Sequence, residues 1–500
     1  MMSERKVGDI TFSTRDIDLR GEPLCLWHAV DFFARSTPEQ VAIECDGRHL
    51  TYRELSQKSR CLAAALINWG VCPGQIVAQA LPRNERALVL LLATLRVGAA
   101  YLPISTDLSL SRNKLILDDA RPALLVVDHL PELDLPVPPA QIVTIGDLES
   151  RTPETTLGQP DLGDGLAYII YTSGSTGTPK GVMVSQANLG YFLEEIVSAI
   201  TLAPEERCLL YHSLTFDFSI WEIALCFLHG CTLIVPPDTF RAIQLQRFVN
   251  DNRVSVASLV SSALAFLSPD TSKTLRIVVT GAEKCSADLA SRWAARCAFY
   301  HGYGPTEATV ASTFSRYAPG EELTIGRPLR HHTISIYDDD LQPVEMGQVG
   351  EICIGGPSVA KGYMNLPALT AERFVADPQQ HGGRLYRTGD MGCLLPDGRV
   401  RFVGRRDNQV KVGGYRIELE EIERVALALG GVTNAAAKID PAGSVPVISL
   451  FFTSDIANYE GTVRDGLRAA LPAYMWPAST RQISAFPCLE SGKIDLRALI

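Results

Sequence analysis

The sequence predicts an α/β fold of layered, mostly parallel sheets, followed by a β-rich segment and a smaller α+β tail. In the first half, short β-branched apolar runs alternate with longer helical stretches, as buried strands and their crossover helices do. After about Ile325 the chain instead alternates short β runs with turn residues, which indicates a β-rich subdomain. Because 500 residues exceed what one core usually supports, we expect two or three lobes.

Individual elements can be placed from the same pattern. Ala29–Thr37 has amphipathic helical spacing, and Arg86–Ala100 is apolar and long enough to be a buried helix. The composition shifts again near Gly404–Gln409, so we predict a large N-terminal part over 1–404 and a small C-terminal lobe over 405–500. The runs predicted to be buried strands are Val41–Cys45, Ala123–Asp128, Gln141–Asp147, Cys208–Leu214, Cys231–Pro237 and Leu275–Gly281.

Composition and charge argue against several classes of function. A formal net charge of −10 is the wrong sign for a nucleic-acid partner. The first 20 residues lack the apolar core of a secretory signal, and no apolar run approaches the roughly 18 residues that span a bilayer. The twelve cysteines form no CxxC and do not combine with histidines in zinc-ligand spacing. We therefore expect a cytoplasmic protein with reduced thiols, no Cys/His metal site and no membrane partner.

The stretch Tyr168–Ser185, YIIYTSGSTGTPKGVMVS, is the most informative motif. A strand leads into a loop rich in Ser, Thr and Gly, and the loop closes on Pro179, Lys180 and Gly181 before a second β run. Glycines allow backbone N–H groups to surround an anion, hydroxyls add donors and the lysine adds a charge for a phosphate. The spacing GxxxxGK[ST] of a P-loop is absent. The loop is therefore predicted to bind a triphosphate by another scheme.

This loop resembles the phosphate-binding signature of the acyl- and aminoacyl-adenylate-forming (ANL) superfamily. That superfamily includes acyl-CoA synthetases, firefly-type luciferases and the adenylation domains of nonribosomal peptide synthetases. The resemblance covers roughly residues 25–500 and implies the ANL adenylating fold, with a mobile C-terminal lobe. Further matching stretches follow in order: Phe216–Glu222, Gly302–Thr309, Gly350–Tyr363, Tyr386–Asp390, Gly404–Glu423 and Glu490–Leu499.

The resemblance implies an ATP site and a magnesium ion. Glu307 is the implied Mg²⁺ ligand, Thr306 contacts phosphate and Tyr303 stacks on adenine. Asp390 would accept hydrogen bonds from the ribose hydroxyls, supported by Arg405. These roles suit a reaction that joins two anions, because positive charge must offset their repulsion. The implied ATP-binding set is Thr172, Ser173, Gly174, Ser175, Thr176, Gly177, Lys180, Tyr303, Gly304, Thr306, Asp390 and Arg405.

The same resemblance assigns roles in the small lobe. Lys493 would reach the substrate carboxylate and the α-phosphate during adenylation. Asp407 matches the hinge at which the lobe pivots. In the alternative orientation, the stretch around Lys411–Gly414 would line a tunnel for a pantetheine thiol. The implied catalytic set is Lys493, Glu307, Thr306 and Lys411.

Asp217 indicates the class of substrate. Within the superfamily, an aspartate in the FD motif pairs with the α-ammonium group of an amino acid, and a buried carboxylate needs such a cation. The pocket resembles threonine-activating pockets, although Ser258, Gly302 and Ala311 depart from them by enlarging the pocket or removing polar groups. We expect a threonine-like substrate, with serine, a 2,3-diamino acid or a branched β-hydroxy acid as alternatives. The implied pocket is Asp217, Phe218, Trp221, Ser258, Val279, Gly281, Gly302, Val310, Ala311 and Lys493.

The predicted activity is ATP-dependent formation of an aminoacyl-AMP with release of pyrophosphate, then transfer to the phosphopantetheine thiol of a carrier protein. The carrier could act in trans or from an adjacent domain, and a small activator protein is a further expected partner. An acyl-CoA synthetase is the nearest alternative. A phosphotransferase or ATPase, and a module without activity, are more distant ones. The sequence leaves open whether this is a free-standing ligase or part of a longer chain.

Overall fold

The computed structural model describes residues 23–107, 110–132, 135–150, 164–174, 178–406, 410–412, 415–440, 447–487, 494–496 and 498–499. The helices in these ranges are α1 (Leu26–Ser36), α2 (Tyr52–Asn68), α3 (Glu85–Val97), α4 (Ser111–Ala120), α5 (Ile145–Ser150), α6 (Gln186–Ala199), α7 (Phe218–Phe227), α8 (Leu245–Asp251), α9 (Ser261–Leu264), α10 (Ala287–Ala294), α11 (Pro367–Arg373), α12 (Leu419–Leu427) and α13 (Glu460–Ala470).

The strands in the same ranges are β1 (Val41–Cys45), β2 (Arg48–Thr51), β3 (Ile76–Ala80), β4 (Ala100–Pro103), β5 (Leu124–Val127), β6 (Ile142–Thr144), β7 (Leu166–Thr172), β8 (Lys180–Ser185), β9 (Arg207–Leu209), β10 (Thr232–Val235), β11 (Val256–Val260), β12 (Ile277–Gly281), β13 (Ala298–Tyr303), β14 (Thr313–Arg316), β15 (Arg327–Pro328), β16 (Thr333–Tyr337), β17 (Gly350–Gly355), β18 (Gly362–Tyr363), β19 (Phe374–Ala376), β20 (Arg384–Leu394), β21 (Val400–Arg405), β22 (Val410–Val412), β23 (Tyr415–Ile417), β24 (Val432–Asp440), β25 (Val447–Ser454) and β26 (Ser479–Gln482).

Two large sheets form the first part of the chain. In the described ranges, one has the strand order β15-β14-β13-β12-β11-β9-β10-β1-β2 and the other β18-β8-β7-β4-β3-β5-β6. Their central strands run parallel, and antiparallel strands lie toward the edges. The predicted layered α/β fold with mostly parallel sheets is therefore confirmed.

The helices pack in layers around these sheets. Helices α1, α2, α3, α6 and α7 share one core with apolar residues from both sheets. Helix α4 packs on the other face of the β3–β5 sheet, and α8, α9 and α10 pack on the other face of the β11–β13 sheet. This arrangement buries both faces of each sheet, which explains why the strands read as continuous apolar runs.

The later part of the chain is smaller and differently built. Strands β16, β17, β20, β19 and β21 form an antiparallel sheet, as the alternating pattern after Ile325 predicted. Beyond it, β24, β25 and β26 form a sheet that packs with α12 and α13 in a core of its own, drawn from residues 412–475. A separate core is what an independent small lobe requires.

Two predicted strands are shorter than expected. Gln141–Asp147 forms strand only over Ile142–Thr144, because α5 begins at Ile145 and the Thr144 hydroxyl accepts a hydrogen bond from the Asp147 N–H at 3.1 Å. Cys208–Leu214 forms strand only up to Leu209. The polar segment after Leu209 instead turns toward α7, and this turn positions the site described next.

Candidate active site

One pocket collects nearly all the residues predicted to contact the substrate. We call it the Asp217 pocket; its empty volume is about 700 Å³. It lies at the carboxyl ends of β12 and β13 in the nine-stranded sheet, next to the start of α7. In open α/β sheets, ligands bind at the carboxyl ends of the strands. The predicted residues in its lining are Asp217, Phe218, Trp221, Val279, Gly281, Gly302, Val310 and Ala311.

Asp217 is a buried carboxylate immediately before α7. Its side chain does not cap that helix, although helix capping is the usual structural use of an aspartate in this position. Its charge also acts on a neighbouring phenol, since burial and, secondarily, Asp217 raise the pKa of Tyr168 well above its ordinary value. The carboxylate is therefore placed in the pocket rather than used to stabilise the helix.

Ser258 is not part of this lining, although it was predicted to be. Its hydroxyl accepts a hydrogen bond from Trp221 Nε1 at 3.1 Å, and both residues are buried. Phe314, which sequence reasoning missed, lines the pocket in its place and contacts Trp221 with ring centroids 5.2 Å apart. The far wall of the pocket is therefore aromatic.

Three residues at the Asp217 pocket adopt left-handed backbone conformations without being glycine. Their φ values are +63° for Ala282, +55° for Thr309 and +72° for Val310. A β-branched residue with positive φ is an uncommon and strained arrangement. Gly304 is required for a different reason, because a Cβ there would lie 2.5 Å from the Ala311 Cα. The backbone at Gly304 is therefore packed directly against the backbone at Ala311, which lines the pocket.

A second cavity adjoins the first and shares Ala282, Gly302, Tyr303, Asp390 and Arg405 with it. We call it the Asp390 cleft; its empty volume is about 1660 Å³. Both oxygens of the Asp390 carboxylate accept hydrogen bonds, one from the Tyr303 hydroxyl and one from Arg405 Nη1, each at 2.5 Å. Each carboxylate oxygen has two acceptor positions, so ligand hydroxyls can still bind.

Strand pairing explains how Asp390 and Arg405 meet. They lie directly opposite each other on the antiparallel strands β20 and β21. Arg405 also donates to the Thr388 carbonyl at 3.3 Å, and Asp390 N–H donates to the Thr388 hydroxyl at 2.9 Å. Burial and, secondarily, the Asp390 charge raise the pKa of Tyr303 well above its ordinary value. Tyr303 is therefore a neutral hydrogen-bond donor at this junction.

Lys180 and Glu307 meet where the two large sheets adjoin. Lys180 Nζ lies 3.7 Å from Glu307 Oε1 and 4.7 Å from the centre of the Tyr363 ring. The Tyr363 hydroxyl donates to the same Glu307 oxygen at 2.7 Å. Thr172 is paired with Lys180 across β7 and β8, and its buried hydroxyl has no hydrogen-bond partner in the described part of the chain. A buried donor beside a lysine fits a phosphate ligand.

The site also fits a magnesium ion held mainly by phosphate. Glu307 is fully buried, and no three His, Cys, Asp or Glu side chains of the described ranges come together as a metal site. Mg²⁺ is commonly bound by one or two carboxylates, with phosphate oxygens and water completing its coordination. A single carboxylate next to a phosphate loop is sufficient for this mode of binding.

A third cavity lies on the other side of the segment that carries Asp217. This Tyr415 cavity has an empty volume of about 1610 Å³ and is lined by residues 211–215 together with Tyr415 and Tyr474 of the C-terminal part. Tyr415 stacks on Tyr474 at 3.9 Å and contacts Phe216 at 5.4 Å between ring centroids. The two parts of the chain are further joined by a buried ion pair between Arg112 and Glu421.

His212 separates this cavity from the Asp217 pocket and was not singled out from the sequence. Its ring stacks on Phe218 with centroids 4.5 Å apart, and its Nδ1 lies 2.9 Å from Glu222 Oε1. Its Nε2 is buried with no hydrogen-bond partner among the described residues. The position of His212 four residues before the FD motif is the only sequence signal that could have indicated it.

Comparison with known proteins adds a decisive observation. The family model described as "AMP-binding enzyme" matches residues 30–364, which is more than half of the chain. The chain belongs to the AMP-binding enzyme family.

Two similar proteins carry names from natural-product biosynthesis. Novobiocin biosynthesis protein H from Streptomyces niveus is 36% identical over 484 residues, which cover 93% of this AMP-binding enzyme and 80% of that protein. Tyrocidine synthase 2 from Brevibacillus parabrevis is 36% identical over 477 residues, 93% of this chain. The matched region is only 13% of tyrocidine synthase 2, so the chain spans a small share of that relative's length.

Solved structures agree on the fold. A nonribosomal peptide synthetase protein containing adenylation and PCP domains matches with a TM-score of 0.84 and 25% identity, covering 96% of this chain and 84% of that one. An o-succinylbenzoate CoA synthetase from Bacillus subtilis matches with a TM-score of 0.80 and 22% identity, covering 94% and 98%. The AMP-binding enzyme therefore has the ANL fold that adenylation domains adopt.

Some predicted residues of this AMP-binding enzyme lie outside the described residues. They are Ser175, Thr176 and Gly177 of the phosphate loop, the hinge candidate Asp407 and the catalytic candidate Lys493. Lys411 lies on β22, and nothing is described of its side chain. Ser173 and Gly174 are buried beside Thr172, and Thr306 begins the turn that carries Glu307. The roles of all these residues stay predictions.

The cysteines in the described ranges form no disulfide bonds. No helix in the described part of the AMP-binding enzyme has both the length and the hydropathy that crossing a bilayer requires.

Proposed function

We propose that this chain activates an amino acid with ATP to form an aminoacyl-AMP and pyrophosphate, and then transfers the aminoacyl group to a pantetheine thiol. The observation that carries the proposal is Asp217, a buried carboxylate in an otherwise largely apolar pocket that opens onto the Asp390 cleft. A buried carboxylate is stabilised by a cation that it can pair with. The α-ammonium group of an amino acid is such a cation.

The nucleotide would occupy the Asp390 cleft, with its phosphates toward Lys180 and Glu307. The Asp390 carboxylate is held in place by its pairing with Arg405, and its remaining acceptor positions suit ribose hydroxyls. Gly302 and Tyr303 line both cavities, so a substrate held by Asp217 is adjacent to the nucleotide. This adjacency supports attack of the substrate carboxylate on the α-phosphorus, with pyrophosphate as the leaving group.

Charge compensation is the principal task of the residues near the phosphates. Lys180 provides a fixed positive charge, and Glu307 is held in place by the Tyr363 hydroxyl. A bound Mg²⁺ would supply further charge neutralisation on the phosphates. We propose that Lys493 completes this compensation at the carboxylate and the α-phosphate during the first half-reaction.

The second half-reaction would use the Tyr415 cavity. We propose that the chain divides into a large part over 1–404 and a small lobe over 405–500, pivoting at Asp407. The separate core of residues 412–475 supports this division. The contact of Tyr415 with Phe216, next to Asp217, brings β22 and β23 toward the pocket, as a thiol-delivering orientation requires. The similarity to a protein with adenylation and PCP domains favours a carrier protein as acceptor.

The side chain of the amino acid is the finer part of the proposal. A threonine-like substrate is proposed from the sequence, with serine, a 2,3-diamino acid or a branched β-hydroxy acid as alternatives. Ser258 was the small polar residue in that argument, and its hydroxyl is engaged by Trp221. Because Ser258 is also not part of the pocket lining, we propose that the polar contact to a substrate hydroxyl comes from another residue.

An acyl-CoA synthetase is the second candidate, because the Tyr415 cavity could accept the pantetheine arm of coenzyme A as well. The fold shared with a CoA synthetase is compatible with it. Asp217 favours the first candidate, since a simple carboxylic acid offers no cation.

Pyrophosphate exchange across a panel of amino acids and matched carboxylic acids tests the first half-reaction. We expect exchange with amino acids and no exchange with their deaminated analogues. ADP formation, or exchange with the deaminated acids alone, would contradict the proposal. Thioester formation with a phosphopantetheinylated carrier, compared with free coenzyme A and run with and without a small activator protein, then separates the two acceptors.

A further inference from the structure

We propose that Phe314 sets the size limit of the amino-acid side chain and makes the distal end of its binding site apolar. This inference rests on the proposed amino-acid activation and assigns a role to a residue that the sequence pattern did not indicate. Phe314 lines the Asp217 pocket without being among the residues predicted there.

Strand pairing places Phe314 over Gly302. The two residues are direct partners in the antiparallel pair β13 and β14. A Cβ at position 302 would lie 3.2 Å from Phe314 Cδ2, so the aromatic ring covers the glycine and occupies the space of its missing side chain. Gly302 was expected to enlarge the pocket. The structure shows that its cross-strand neighbour fills part of that space instead.

The ring of Phe314 is held in position by its neighbours. It stacks on Tyr300, with ring centroids 5.1 Å apart and an angle of 11° between the planes. It also contacts Trp221 at 5.2 Å, and Trp221 is fixed by its hydrogen bond to Ser258. Aromatic side chains packed in this way have few alternative rotamers, because interiors are densely filled. The Phe314 ring therefore has a fixed position in the pocket lining.

The chemistry of this wall restricts the substrate. Phe218, Trp221 and Phe314 contribute aromatic surface, and Val279 and Val310 add aliphatic surface. The indole N–H of Trp221 is already engaged by Ser258. A side chain ending in an amine or hydroxyl would lose hydration here without a replacement. Threonine and branched β-hydroxy acids carry the same hydroxyl as serine but add methyl groups that this apolar surface can cover, so among the alternatives they are favoured over serine and a 2,3-diamino acid.

The test is pyrophosphate exchange by the wild-type chain and by Phe314→Ala, with alanine, serine, 2,3-diaminopropionate, threonine, valine, leucine and phenylalanine. The wild-type chain should prefer a methyl-ended side chain. Phe314→Ala should raise kcat/KM for larger apolar side chains, relative to the preferred one, by at least about tenfold. Gly302→Ala should shift the preference toward smaller side chains, because the new methyl group displaces the ring.

Controls separate the specific effect from a general one. Phe314→Leu provides a milder variant if Phe314→Ala is unstable in thermal melting. Ser315→Ala alters the next residue on β14 and should leave the profile unchanged. An unchanged ratio of kcat/KM for larger apolar side chains to that for the preferred one in a folded Phe314→Ala or Phe314→Leu chain would overturn the inference. A wild-type preference for serine or 2,3-diaminopropionate would overturn it as well. Absence of exchange with every amino acid in the wild-type chain would instead contradict the proposed function itself.

Discussion

The Asp217 pocket and the Tyr415 cavity lie on opposite sides of the same segment, residues 211–218, yet they are built in different ways. The described lining of the pocket lies within residues 216–405, so apart from Arg405 it belongs to the large part of the proposed division. The Tyr415 cavity is lined by residues between 81 and 242 together with Tyr415 and residues 472–474, which the proposed division assigns to different parts. If the chain divides as proposed, the pocket depends mainly on the large part alone. The cavity would then depend on how the two parts are arranged.

The largest expected effect comes from removing the charge of the pocket. Asp217→Asn should lower kcat/KM for amino-acid-dependent pyrophosphate exchange by about 1000-fold, because a buried ammonium group would lose its partner. The KM for ATP should change little, because Asp217 binds the amino acid and not the nucleotide. Asp340→Asn, at an exposed turn, is the matched control. If Asp217→Asn and Asp340→Asn behaved alike, the pocket would not bind an ammonium group.

A second large effect is expected at the junction of the pocket with the Asp390 cleft. Asp390→Asn should raise KM for ATP by about 100-fold, because charge-assisted hydrogen bonds are lost and the largely covered Arg405 is left without its carboxylate. The KM for the amino acid should change much less. ATP titrations at saturating amino acid measure the first constant, and the reverse titration measures the second. Equal changes in both would indicate general damage.

Mild acid should destabilise the N-terminal part of the chain more than the C-terminal part. Burial lowers the pKa of His28 and of His332 to about 4 from an ordinary 6.5, whereas no histidine follows His381 in the sequence. The unfolded chain takes up these protons near pH 6.5 and the folded chain only near pH 4. Stability is therefore full above pH 6.5 and falls as the pH drops toward 4, with a loss of about 2 kcal/mol per histidine at pH 5.

Urea unfolding followed by tryptophan fluorescence at pH 7 and pH 5 measures this loss. His28→Gln should flatten the pH dependence, and the exposed His381→Gln should leave it unchanged. If His28→Gln left the pH dependence unchanged, the pKa of His28 in the folded chain would not be lowered, and the prediction would be wrong.

The smallest effect is expected at the contact between the two parts. Glu421→Gln should reduce thioester formation by about tenfold while leaving pyrophosphate exchange unchanged, because the buried pair with Arg112 holds the parts in this docked arrangement. Asp465→Asn, an exposed carboxylate-to-amide change on α13, is the matched control. A parallel fall in pyrophosphate exchange would mean that the pair supports the fold rather than the docked state.

Sequence patterns predicted the Asp217 pocket better than they predicted its wall. Asp217 and Trp221 share the motif Phe216–Glu222, and Val310 directly follows the motif Gly302–Thr309, so the convergence of these two segments could be anticipated. The partner of Gly302 could not be anticipated in this way. Phe314 reaches it through the register of β13 and β14, and that register depends on the turn between them.

Hydrogen-bond partners were equally inaccessible from the sequence. Ser258 was expected to face the substrate, but the Trp221 side chain, 37 positions away, takes its hydroxyl. The strand Ile142–Thr144 ended early because the Thr144 hydroxyl competes locally for the backbone. After Arg207–Leu209, the N–H groups of Tyr211 and His212 instead donate to the distant Glu222 carboxylate. Apolar periodicity predicts where a chain is buried, whereas the choice among nearby polar partners is made by tertiary packing.

The ion pair of Asp390 with Arg405 has one more consequence. Arg405 ends β21, directly before the connection to the C-terminal residues, and the adjacent Arg406 pairs with Asp339. A ligand that hydrogen-bonds to Asp390 therefore also affects Arg405 and β21, the strand that precedes that connection. By thermodynamic reciprocity, whatever orientation of the C-terminal residues improves ligand affinity is itself favoured, by an equal free energy, once the ligand is bound. Ligand binding in the Asp390 cleft and the orientation of the C-terminal residues would then be thermodynamically coupled.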